Sequence, residues 1–132
     1  MSEPNAALGL LQLKHLDFII KERKNIYNLY MEGINQSNGC SLIEIPINLK
    51  YNFAYCAVKF EKGLEARDKA FDKMKSENIF CRKYWYPLIT DQQIYSSIKN
   101  GKLINAKKLS QKILFLPIYP GLEKKLYIKS LK

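Results

Sequence analysis

Apolar residues recur at heptad-like spacing from the start of the chain: Ala6, Leu13, Leu16, Ile20, Tyr27, Tyr30 and Ile34 fall on one side of a helix. Ser2 followed by Glu3-Pro4-Asn5 supplies a start, because serine can cap free amides and proline is tolerated in a first turn. The polar run Asn35-Gln36-Ser37-Asn38-Gly39 supplies the stop. The spacing therefore predicts one long helix. Leu8, Leu10, Leu11, Phe18 and Ile19 widen its apolar side, so the first half is apolar around most of its circumference, as in a helix buried on more than one side. A small domain cannot easily cover such a helix alone. Part of that surface is expected to pack against another domain or subunit.

Beyond Gly39 the pattern shortens towards a period of two. Leu42–Ile45 and Tyr51–Phe60 read as strands, the first at a sheet edge or strand end because Pro46 cannot donate a ladder hydrogen bond. From Leu64 to Glu77, Ala66, Ala70, Phe71 and Met74 return to helical spacing between charged residues, so the chain crosses back over the sheet. Ile79–Trp85 reads as a further strand stopped near Pro87, and residues 90–100 fit no single pattern. Ile104–Phe115 reads as a second amphipathic helix, through Ala106, Leu109, Ile113 and Leu116 and ended by Pro117; Leu122–Leu131 reads as a last short helix. The predicted fold class is α+β, a long N-terminal helix packed with a small, mostly antiparallel sheet and two to three further helices.

Composition fits a single domain over residues 1–132. At 132 residues and 47% hydrophobic content the chain can bury roughly two-thirds of its unfolded surface in one core. Twenty-two Lys and Arg against twelve Asp and Glu give a net charge of +10, which attracts polyanions in general. The excess is mostly lysine spread along the chain, the distribution of a solvated surface, so nucleic acid is not the expected partner. No basic leader precedes an unbroken apolar run, which predicts a cytoplasmic protein without a membrane partner. Cys40, Cys56 and Cys81 lack CxxC spacing and His15 is the single histidine, so neither a metal site, a disulfide framework nor a thiol nucleophile is expected.

Candidate chemistry concentrates in Arg82-Lys83-Tyr84-Trp85-Tyr86, two cations and three aromatics in succession. Strand alternation puts Arg82, Tyr84 and Tyr86 on one side, a set that can pair with a diphosphate and stack on a base or sugar. The alternative is that Tyr84 and Tyr86 pack on helices while Arg82 covers them.

Three stretches carry a resemblance to a known family. MSEPNAALGLLQLKHLDFIIKERKNIYNLY, NIFCRKYWYPL and AKKLSQKILFLPIYPGL resemble, in order and spacing, segments of the DegT/DnrJ/EryC1/StrS sugar aminotransferases, pyridoxal-phosphate enzymes of fold type I. The second stretch is similar to a variant found in transaminases of dTDP-linked deoxyhexoses. The resemblance implies the C-terminal small domain of such an enzyme, with a nucleotide-sugar substrate and with Arg82 and Tyr84 near the substrate mouth. It adds Asn52 as a substrate-side candidate, with strand-edge hydrogen bonding as the alternative. Ser2 and Glu3 become cofactor-side candidates, with helix capping as the alternative.

By the same resemblance, the family's cofactor-binding lysine, its pyridine-contacting aspartate and its phosphate-binding hydroxyl lie upstream of Met1. The expectation is a chain with no catalytic residue of its own that binds no pyridoxal phosphate stably by itself. Its partner would be a large aminotransferase domain or a second subunit, met through the N-terminal helix. Two other readings stand beside this one: a non-catalytic basic module that holds a nucleotide sugar or nucleic acid, and a nonfunctional gene remnant.

Overall fold

The computed structural model describes residues 1–35, 39–95, 97 and 101–123. The predicted long helix is two: α1 (Glu3–Lys14) and α2 (Leu16–Asn35). They part at His15, where the backbone (φ −101°, ψ 2°) leaves helical geometry and the His15 amide bonds the Gln12 carbonyl at 3.2 Å, three residues back. The break separates two chemically different helices. In the second half of α2 the predicted seam holds: Tyr27, Tyr30 and Ile34 are buried, with Ile26 beside them, whereas Leu16 of the predicted seam is 44% exposed. No residue of α1 is buried, because leucines on several sides give it no single face to turn inward.

Three short strands follow, β1 (Cys40–Leu42), β2 (Cys56–Phe60) and β3 (Ile113–Leu116), in an antiparallel sheet of order β1-β2-β3. The register sets Cys56 opposite Leu116 and Val58 opposite Leu114, which turns these four residues to one face. That face meets Tyr30 and Ile34 of α2, Met74 of α3 (Leu64–Ser76), and Ile79, Cys81 and Ile118 in one buried cluster. Tyr30 is fully buried, and its hydroxyl donates to the Pro117 carbonyl at 3.0 Å. Ala57, Lys59, Ile113 and Phe115 point to the other face.

Four boundaries differ from the sequence reading. The strand expected over 42–45 instead ends at Leu42, its ladder with β2 running from Cys40 opposite Phe60 to Leu42 opposite Val58. The expected helix over 104–115 is α4 (Ile104–Ser110) followed by β3; Ile113-Leu114-Phe115-Leu116 is apolar at every position, so only its pairing with β2 decides its state. The strand expected at 51–60 begins at Cys56, because the Asn52 side chain accepts the Ala54 amide at 3.0 Å and Phe53 adopts φ 52°, which bends the chain out of extension. The strand expected at 79–85 contracts to one antiparallel bridge, Arg82 opposite Phe115. Ile89–Asp91 and Gln93–Tyr95 are 3₁₀ turns within the ambiguous stretch. The helix expected at 122–131 lies outside the described residues from 124 onward.

The α+β architecture is thus as expected, with four helices and a three-stranded antiparallel sheet among the described residues. No described helix is long and apolar enough to cross a membrane, and no group of metal-ligating side chains occurs among the described residues.

Candidate substrate cleft

Arg82 pairs with Phe115 at the outer edge of β3, which sets the Arg82–Tyr86 segment alongside the sheet. The Tyr86 amide then bonds the Lys83 carbonyl at 3.0 Å, closing a turn that ends the strand alternation. This turn sorts the segment's side chains in two directions. Arg82 and Tyr84 line a cleft of about 270 Å³ with Tyr55, Phe80, Phe115 and Tyr119. Tyr86 faces α3 instead, where the Arg67 guanidinium lies 4.4 Å from its ring centroid. The structure thus brings together two of the three residues expected on one side.

Within the cleft, Arg82 Nη1 donates to the Tyr84 hydroxyl, and its guanidinium lies 5.5 Å from the Tyr84 ring centroid. The Tyr84 ring meets Phe115 edge-on at 5.4 Å and Tyr55 at 6.2 Å, while Tyr55 and Phe115 stand 5.6 Å apart. Trp85 lies 4.9 Å from Tyr84 at an interplanar angle of 33° and is 69% exposed. The result is a small aromatic wall with one exposed guanidinium at its rim. Such a wall offers ring faces for stacking, and the fork of Arg82 suits phosphate or carboxylate oxygens.

The other candidates lie apart from this wall. Asn52 is exposed and spends its side-chain oxygen on the Ala54 amide, although Ala54 itself lines the cleft. Ser2 occupies the N-cap position of α1 without a side-chain capping bond, and Glu3 sits in the first turn; both are exposed, and neither lines the cleft. Cys56 and Cys81 are buried in the core. Burial, with Cys81 adding to it, pushes the Cys56 thiol up to about 12, and burial pushes Cys81 up to about 12, which keeps both protonated and inert at neutral pH.

Among the described residues, no lysine or carboxylate lines the cleft. The described lysines that are not fully exposed are Lys59, Lys83 and Lys112. They are held by Glu61 at 2.9 Å, Asp68 at 2.8 Å and the Glu61 carbonyl at 3.4 Å.

The sequence reading missed Arg67. Its side chain is fully excluded from solvent inside α3. The signal was present, because Arg67 stands at i with Ala70, Phe71 and Met74 at i+3, i+4 and i+7, on the stripe already assigned to the core.

A second concavity, about 650 Å³, runs along α1 and the start of α2, with Leu10, Leu13, Leu16 and Ile19 among its lining. Arg23 lies at its side, and the Arg23 Nε is buried with no hydrogen-bond partner among the described residues. Leu8, Leu11 and Phe18 are also more than half exposed, at 57%, 53% and 59%.

Comparison with known proteins bears on the family and the fold. The chain is 36% identical over 136 aligned positions to a dTDP-4-amino-4,6-dideoxy-D-glucose transaminase of Escherichia coli, covering 100% of this chain and 37% of that protein. It is 38% identical over 127 positions to a transaminase of the same name from Shigella dysenteriae, covering 92% of this chain and 34% of that protein. The chain therefore spans little more than a third of the length of these curated relatives. In fold it superposes on the crystal structure of DesI determined in the presence of its TDP-sugar product, with a TM-score of 0.88 at 21% identity over 99% of this chain and 34% of DesI. Residues 1–128 match the sugar aminotransferase pattern itself, and the chain belongs to the DegT/DnrJ/EryC1/StrS aminotransferase family.

Proposed function

We propose that this chain is the substrate-side domain of a pyridoxal-phosphate-dependent aminotransferase acting on a nucleotide-linked keto-deoxysugar, and that its Arg82–Tyr84 cleft receives the nucleotide diphosphate. The observation that carries this reading is the exposed Arg82 guanidinium tethered to the Tyr84 hydroxyl at the rim of an aromatic wall. Guanidinium pairs with diphosphate oxygens and the rings stack on a base or sugar face. The dTDP-sugar named for both curated relatives has this chemistry.

The family depends on pyridoxal phosphate, which supplies the electron sink for amino transfer. The described lining of the cleft does not fit that group as a covalent guest, because none of the described residues lining it is a lysine that could hold it or a carboxylate that could meet its ring nitrogen. On this reading the chain alone binds but does not transaminate, and the cofactor belongs to a large domain. The uncovered side of α1 and the partnerless Arg23 Nε are where that large domain packs, consistent with a chain about a third as long as its relatives.

Titration of the purified chain with thymidine diphosphate, read by the fluorescence of Trp85, the single tryptophan, tests the cleft. Saturable quenching that weakens at least tenfold in Arg82→Ala and in Tyr84→Ala is expected. Quenching equal in the two variants and the parent would remove the cleft from the reading.

A further inference from the structure

We propose that Arg67 is a positioning residue, whose guanidinium holds the substrate-facing turn from behind and fixes the geometry of Arg82 and Tyr84. The inference rests on the reading of that pair as the substrate-contacting one.

A fully buried guanidinium is costly unless its donors are met, and an apolar side chain of similar volume would fill the same stripe of α3 without that cost. Arg67 offsets part of that cost with contacts to its neighbour Asp68 and, beyond its own helix, to Ser110 and Tyr86. Nη1 donates to the Ser110 carbonyl at 2.7 Å, where α4 ends ahead of β3. Nε donates to Asp68 Oδ1 at 2.9 Å; Nη2 lies 2.9 Å from the same oxygen without hydrogen-bonding alignment. The guanidinium face lies against the Tyr86 ring at 4.4 Å.

Asp68 Oδ1 also takes Lys83 Nζ at 2.8 Å, and that ammonium sits 4.1 Å from the Phe71 ring centroid. Residues 83 and 86, the two ends of the turn, are therefore both fastened to α3 through Arg67 and its neighbour. Residues 82 and 84 are left facing the cleft. Through Ser110 the same guanidinium holds the approach to β3, whose Phe115 belongs to the same aromatic wall as Tyr84. One buried charge thus ties the Lys83–Tyr86 turn and the approach to β3 to a single helix. A rigid support of this kind raises affinity by removing the ordering cost from binding.

The test compares Arg67→Lys and Tyr86→Leu with the parent chain, each also in an Arg82→Ala background, by thymidine diphosphate affinity and by hydrogen exchange of the amides of residues 82–86. Tyr86 is 39% exposed, so its variant retains the fold even where Arg67→Lys does not. The expected result is about a tenfold loss of affinity in Tyr86→Leu with circular dichroism unchanged, no further loss when Arg82 is already alanine, and faster exchange confined to the turn. Lower thermal stability with parental affinity and parental exchange at 82–86 would overturn the proposal, as would an equal loss with and without Arg82. If the parent itself does not bind thymidine diphosphate, the proposed function fails separately. The exchange data then decide the positioning role alone, faster exchange at the turn supporting it and unchanged exchange refuting it.

Discussion

Asp68 Oδ1 accepts Arg67 and Lys83 at once, and the balance of forces on it is legible in its acidity. Partial burial pushes its carboxyl up, but the Lys83 and Arg67 contacts outweigh that and hold it below the usual carboxylate range. A carboxyl whose folded pKa lies below its unfolded value stabilises the fold above the unfolded value and loses that contribution as pH falls through the folded one. The loss therefore develops below about pH 4, the ordinary range for aspartate. The urea midpoint of the parent should fall more steeply than that of Asp68→Asn between pH 5 and pH 2; parallel curves would mean that the pair is not formed in solution. Glu61 and Glu65 are lowered by Lys59 and Lys69 in the same direction, but they stand open to water, where salt screens such pairs. At this scale Arg82 and Tyr84 were legible as chemistry because charge and aromatics sit together in the chain. Arg67 was legible only by its place on the apolar stripe of α3, since an arginine between Ala66 and Asp68 otherwise reads as one more solvated charge.

The two N-terminal helices contribute unequally to stability. Replacing Tyr30 of α2 with Phe removes the bond to the Pro117 carbonyl and is expected to cost about 1 kcal/mol, whereas Tyr30→Ala should cost about 3–5 kcal/mol by opening the core. Leu10→Ser and Leu13→Ser in α1 should each stay within about 0.5 kcal/mol, since their side chains are 63% and 66% exposed. Urea unfolding of the three single-site groups checks the contrast, and a cost above about 1 kcal/mol for either leucine would show that α1 is part of this core. Elements with one apolar face, α2 and α3, could be read from spacing because their period is unambiguous. The segment 113–116 could not, since a run apolar at every position carries no period, and its strand state comes from β2 alongside it. The contraction of the 79–85 strand had a similar origin. A turn fixed by contacts to α3, remote in sequence, overrode a local pattern that alternates well.

As a whole the molecule sets an uncovered apolar helix against a net charge of +10. Like charge keeps copies of the chain apart and salt relaxes that repulsion, while the α1 surface draws them together. Sedimentation should therefore show self-association that grows from low salt to about 0.5 M salt and is suppressed in the Leu10→Ser/Leu13→Ser double variant; association that weakens with salt would point to charged contacts instead. The fold class was legible at this scale because helix and strand patterns alternate along the chain, and so was the surplus of apolar residues before His15. The direction of that surplus was not legible, since it depends on the break at His15. That break has a consequence for how the sequence can change. With α1 parted from α2 and none of its residues buried, substitutions along Glu3–Lys14 barely touch the stability of the core. On the proposed reading, whatever constrains those leucines acts from the large domain packed over them, so the first helix would record the shape of that neighbour rather than the fold of its own domain.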